Sequence, residues 1–154
     1  MPLPNTITTS TDCPSAMILL DTGYLIAVGD ARDALHPRAV KWSETIAERL
    51  LVTEHVLIEA VNHFSTPANR GCAHKLMEWV LADAGVEIVW ADRALFESGL
   101  RLHRARADKA WSLTDCISFF LMQERGIPAA LAYDIHFEQA GFEALLRRDP
   151  PNRI

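Results

Sequence analysis

The sequence predicts an α/β protein in which a parallel sheet lies between layers of helices. Three observations predict it. Helix-forming segments alternate with short apolar runs along the chain, the pattern of βα units. Met17 to Leu20, MILL, is four apolar residues without alternation, as in a strand buried on both faces. Two apolar runs end alike, at Leu20-Asp21 and Tyr133-Asp134. In a parallel sheet both carboxylates emerge at the same edge, the edge where open α/β sheets bind ligands.

Each element can be justified in order. After the first strand, Thr22 is expected to cap a short helix that runs to about Val28 and is broken by Gly29 and Asp30. A second helix is expected from Ala34 to Glu48, with His36-Pro37 in its first turn. Leu50 to Val52 is short for a strand. Thr53 then caps a clear helix, Glu54 to Phe64. Glu59 shares one face of that helix with His55, Asn62 and His63, which places it on a polar stripe. A helix from Asn69 to Ala84 closes at Gly85, and Val86 to Trp90, VEIVW, is a strand. A basic helix runs from Asp92 to about Ala107. Ser112 caps the long apolar helix LTDCISFFLMQERG, closed by Gly126. Ala129 to Tyr133 is a strand, Phe137 to Gly141 a turn or short helix, and Glu143 to Arg147 a last strand.

Length and composition bound the function. The 154 residues suffice for one domain with a sizeable core, and 49% hydrophobic with 23% charged residues is an ordinary globular balance. The net charge of −5 argues against strong nonspecific nucleic-acid binding, which rests on a basic surface, but leaves room for a local basic groove. Cys13, Cys72 and Cys116 lack metal-type spacing and are odd in number, so they read as free thiols of a reducing cytoplasm. No apolar stretch reaches transmembrane length. Residues 1–16, rich in Pro, Thr and Ser, lack the basic start and apolar centre of a secretory signal. They are expected to be a flexible tail before a domain spanning 17–148, with 149–154 a second tail.

Four acids carry the chemical argument: Asp21, Glu59, Asp115 and Asp134. Each has a bland role open to it. Asp21 can cap a helix, Glu59 can be solvated, Asp134 can hold a turn, and Asp115 completes a capping box with Ser112. If they converge, two unit charges about 4 Å apart cost roughly 4 kcal/mol at an effective dielectric near 20. Protonation or bound cations must relieve that cost. All-oxygen ligands suit Mg²⁺ or Mn²⁺, which can activate water in phosphodiester hydrolysis. The cations between Arg93 and Lys109 alternate with Glu97 and Asp108, which reads as a solvated face of ion pairs. The sharper reading makes Arg101, Arg104 and Lys109 a phosphate-contacting rim. His136 reads as a neighbour of the site rather than a metal ligand.

The stretches ILLDTGYLIA, VTEHVLIEAVNHF, SLTDCISFFLMQERGI and ALAYDIHFEQAGF together resemble the PIN-domain nucleases, and within them the VapC-like toxins of bacterial toxin–antitoxin pairs. The resemblance covers about Met17 to Arg147. It implies a five-stranded parallel sheet. It also implies that Asp21, Glu59, Asp115 and Asp134 are the family's acids, supported by Thr22 and Ser112. The implied activity is Mg²⁺- or Mn²⁺-dependent hydrolysis of RNA, leaving 5′-phosphate and 3′-hydroxyl ends. The implied partners are a second copy in a homodimer and a cognate antitoxin, with no membrane. The competing reading is a catalytically silent PIN-like binding module. A phosphatase fails because Gly23 stands where its second acid is needed, and a phospho-receiver fails because Asp21 has no adjacent acid.

Overall fold

The computed structural model describes residues 16–152. The expected tail over 1–16, apart from Ala16, lies outside the described residues, as does Cys13. Strands β1 (Met17–Leu20), β2 (Arg49–Thr53), β3 (Val86–Val89), β4 (Ala129–Leu131) and β5 (Glu143–Ala144) form one sheet in the order β3-β2-β1-β4-β5. Every pairing is parallel. The helices are α1 (Thr22–Gly29), α2 (His36–Thr45), α3 (Glu54–His63), α4 (Arg70–Ala82), α5 (Arg93–Ala105), α6 (Leu113–Arg125) and α7 (Ile135–Gln139).

The sheet has two buried faces, and side chains alternate between them. Ile18, Leu20, Val52 and Leu131 pack under α1 to α4, against Leu25, Trp42, Val56, Phe64 and Val80. Leu19, Leu51, Ala130 and Ala132 point the other way, against Leu95, Ile117, Phe119, Met122 and Phe137 of α5 to α7. Burial on both faces explains the unbroken apolar runs of the strands. Pairing of Met17, Ile18 and Leu19 with Arg49, Leu50 and Leu51 makes β2 a full strand despite its short apolar run. On the second face α5 comes so close to α6 that a Cβ on Gly99 would stand 2.3 Å from Ile117 Cγ1.

Some boundaries differ from the sequence expectation. Thr22 does not cap α1: Asp21 takes the N-cap position and Thr22 begins the helix. α4 stops at Ala82 because the Asp83 carboxylate accepts from Gly85 N at 2.8 Å and turns the chain before the glycine. Gly126, with φ +65°, does close α6 in the left-handed conformation. The expected strand over Glu143 to Arg147 keeps only its first two residues. Leu145–Arg147 wind into a 3₁₀ turn, because Leu146 N donates to Ala132 O and Leu145 and Leu146 are buried. The chain stays docked beyond residue 148, where Asp149 pairs with Arg38 at 3.0 Å.

Candidate active site

The strand order places β1 between β2 and β4, so the crossovers leave β1 in opposite directions. That switch point opens a crevice at the carboxyl ends of β1 and β4. Asp21 follows β1, and its backbone N donates to Leu131 O of β4 at 3.2 Å. Asp134 lies just beyond β4. A cleft of about 770 Å³ opens there, lined by Asp21, Thr22, Glu59, Ser112, Asp115, Tyr133, Asp134, His136 and Arg147, among others. All four predicted acids and both supporting hydroxyls therefore face one space.

Asp21 lies at the amino end of α1. Burial pushes its carboxyl up to about 7, and the negative charge of Asp115 adds to the rise. The backbone N–H groups of Thr22 and Gly23 pull in the other direction, and Glu59 raises it further. Glu59 is exposed on α3, and Thr22 Oγ1 donates to its Oε2 at 2.7 Å. That bond ties α1 to α3 across the mouth of the cleft. Its expected stripe is largely present: Asn62 and His63 are exposed with it, but His55 is partly buried, with Nδ1 unpartnered among the described residues.

Asp115 is fixed by the capping box. Ser112 N donates to Asp115 Oδ2 at 3.0 Å, and Asp115 N donates to Ser112 Oγ at 3.0 Å. His136 Nδ1 lies 3.0 Å from the same Oδ2 and 3.4 Å from Asp134 Oδ1. Facing two acceptor-only oxygens, Nδ1 carries the proton. Asp134 caps α7 by accepting from His136 N at 3.0 Å. The bland roles read for Asp115 and Asp134 are thus real, and they aim both carboxylates at the cleft.

The donors fit a hard divalent cation. Among the described residues no lysine or arginine forms an ion pair with Asp21, Glu59, Asp115 or Asp134. Burial and then the charge of Asp115 raise Asp21, and among the described residues only His136, against Asp115 and Asp134, stands as a nearby basic group in these contacts. No three His, Cys, Asp or Glu side chains among the described residues close into a ready-made metal cage. A divalent cation here would therefore need waters and a substrate phosphate to complete its shell.

Arg101, Arg104 and Lys109 do not line the cleft, although Ala110 does. Arg101 reaches Ser98 Oγ at 3.4 Å, and Arg104 is exposed on α5. Nearby, Arg93 pairs with Glu97 at 2.8 Å and Arg106 with Asp108 at 2.9 Å, the solvated ion pairs expected of this face. Sequence reasoning missed Arg147 and Tyr133 at the rim. The one available hint was that four gathered acids need a counter-charge.

Fold and cleft together define a class: a three-layer parallel α/β protein with carboxylates gathered at its switch point. More narrowly, the PIN domain model matches residues 18–143, and the chain belongs to the PIN domain family. It is similar to the 23S rRNA-specific endonuclease VapC20 of Mycobacterium tuberculosis, with 32% identity over 131 residues, 82% of this chain and 95% of that protein. The same protein from a second strain of that organism gives the same figures. The crystal structure of Mycobacterium tuberculosis VapC20, described as a sarcin-ricin loop cleaving toxin, matches with a TM-score of 0.76 at 25% identity. The match covers 82% of this chain and 97% of that one.

Proposed function

We propose that this protein is an endoribonuclease dependent on Mg²⁺ or Mn²⁺ that acts as the toxin of a toxin–antitoxin pair. The observation that carries the reading is the gathering of four separate acids in one cleft with no lysine or arginine paired to them among the described residues. The likeness to a 23S rRNA-specific endonuclease supports RNA as the substrate.

Asp21 and Asp115 would hold the main cation, and Asp134 would help to hold a second cation or a water. Glu59 would position the metal shell or the attacking water, and it is itself held by Thr22, as Asp115 is by Ser112. The bound cation supplies two effects: it lowers the pKa of water and offsets charge on the scissile phosphate. A cation held by Asp21 would favour its ionised form, which burial and Asp115 disfavour. The protein works in the cytoplasm as a homodimer and is silenced by a cognate antitoxin. No helix among the described residues is long and apolar enough to cross a membrane.

The test is RNA cleavage by purified protein with Mg²⁺ or Mn²⁺, with the ends mapped as 5′-phosphate and 3′-hydroxyl. Asp21→Asn and Asp115→Asn should abolish cleavage while circular dichroism stays unchanged. Full activity of Asp21→Asn would refute the assignment. The open donor set favours one second reading, a silent binding module. Titration with Mn²⁺ separates the two, since a silent site neither binds the ion nor cuts.

A further inference from the structure

We propose that Arg147 and Tyr133 form the RNA-binding lip of the cleft, Arg147 holding a substrate phosphate and Tyr133 stacking a base. The proposal rests on the ribonuclease reading above and adds how the substrate is held.

A cleft lined by four acids, in a chain of net charge −5, repels a polyanion. Arg147 is the one lysine or arginine among the described residues lining it. It is held firmly. Leu145 and Leu146, just before it, are buried, and Leu146 N is bonded to Ala132 O. Its Nη1 donates to Tyr133 O at 2.9 Å, and its guanidinium carbon lies 5.2 Å from the centre of the Tyr133 ring. Its contact with Glu138 is long, 3.4 Å, and exposed, so it neutralises little. Nη2 makes no hydrogen bond among the described residues. A guanidinium that lies over a ring, is tied to a carbonyl and keeps Nη2 free is arranged for phosphate, because little side-chain freedom remains to be lost.

Tyr133 is 46% exposed and Ile135 41%, so an apolar ledge continues from the arginine along the same mouth. Single-stranded RNA is held by such pairs: aromatic faces stack bases while cations track the backbone. Arg147 lies over the ring, and the exposed part of Tyr133 offers surface for a base. Tyr133 and Arg147 lie together on the lining of the cleft that holds Asp21, Glu59, Asp115 and Asp134, so a strand gripped by them is held beside the acids.

The experiment measures binding of a fluorescein-labelled single-stranded RNA by the full chain carrying Asp21→Asn, across a NaCl series. Adding Arg147→Gln should weaken binding several-fold and make the slope of log affinity against log salt shallower by about 0.7, the value for one lost phosphate contact on a single strand. Arg147→Lys should keep the slope. Tyr133→Ala should weaken binding by about 5-fold or more with the slope unchanged, and Tyr133→Phe should not weaken it. Should Arg147→Gln not fold, the Lys, Ala and Phe variants decide the matter. An Arg147→Gln protein that folds and binds with the parent affinity and slope overturns the proposal, as does equal binding by Tyr133→Ala and Tyr133→Phe. Separately, the otherwise native chain is assayed for cleavage. If it never cuts RNA yet binds in the Arg147-dependent way, the nuclease reading falls and the lip stands. If it cuts and none of these variants changes binding, the reverse holds.

Discussion

Replacing Asp21 with asparagine should destroy function and strengthen the fold at the same time. In the metal-free protein the Asp21 carboxyl ionises near 7 rather than 3.8, chiefly through burial and then through the charge of Asp115. Below about pH 4 both the folded and unfolded chains carry the proton, and the site costs nothing. As pH rises from about 4 to 7, the unfolded chain ionises first, so metal-free stability falls. Above about 7 the whole cost is present. At about 1.4 kcal/mol per pH unit, the rise from 3.8 to about 7 corresponds to a ceiling of about 4 kcal/mol. Solvent reaching the partly exposed side chain screens part of that. Asparagine has no charge to desolvate. Asp21→Asn should therefore gain about 1–4 kcal/mol over the native protein at pH 8 in EDTA, and almost nothing at pH 4. Urea denaturation of both proteins at the two pH values measures this. Adding Mg²⁺ at pH 8 should stabilise the native chain and not the variant. Equal stabilities at pH 8, or the same gain at both pH values, would show that the acids do not strain the site in this way.

Other outcomes follow from single contacts. Gly99→Ala places its Cβ 2.3 Å from Ile117 Cγ1 and 3.4 Å from Ile117 Cα, so α5 and α6 must part; urea denaturation should show a loss of about 1–3 kcal/mol. Gly71→Ala, with nothing within 4 Å of the added Cβ, serves as the control and should be neutral or slightly stabilising. Ser112→Ala removes the oxygen that accepts from Asp115 N and should cost about 1 kcal/mol in thermal melting, together with Mn²⁺ affinity; Ser112→Thr should restore both. Thr22→Val keeps the side-chain shape but loses the bond to Glu59. Stability should change by less than about 1.5 kcal/mol, while RNA cleavage falls several-fold.

Much of this was legible before any coordinates because its signals are local. The strand MILL, the capping box of Ser112 and Asp115, the cap by Thr53 and the left-handed Gly126 each depend on a few neighbouring residues. The acids at Asp21 and Asp134 were marked by their position after apolar runs. Less local features escaped. Thr22 looked like a cap, and its hydroxyl instead serves Glu59, which lies on another helix. The segment after Ala144 had a strand's composition, but an edge position leaves it one neighbour, and the buried Leu145 and Leu146 draw it into a 3₁₀ turn. The basic run from Arg101 to Lys109 was conspicuous as sequence, yet α5 carries Arg101 and Arg104 on a face outside the cleft.

By itself, then, the sequence determined most of the strands and helices, though not all of their ends, and that carboxylates follow two apolar strand segments. Periodicity and capping are written over one or two turns of chain, so short stretches suffice to read them. Only the tertiary structure decided which strands are neighbours, and with that the crevice between β1 and β4 into which the acids converge. It also decided that the cation at the rim is Arg147. Those outcomes depend on contacts between residues far apart in the chain, settled by how two buried faces pack around one sheet, and no local pattern records them.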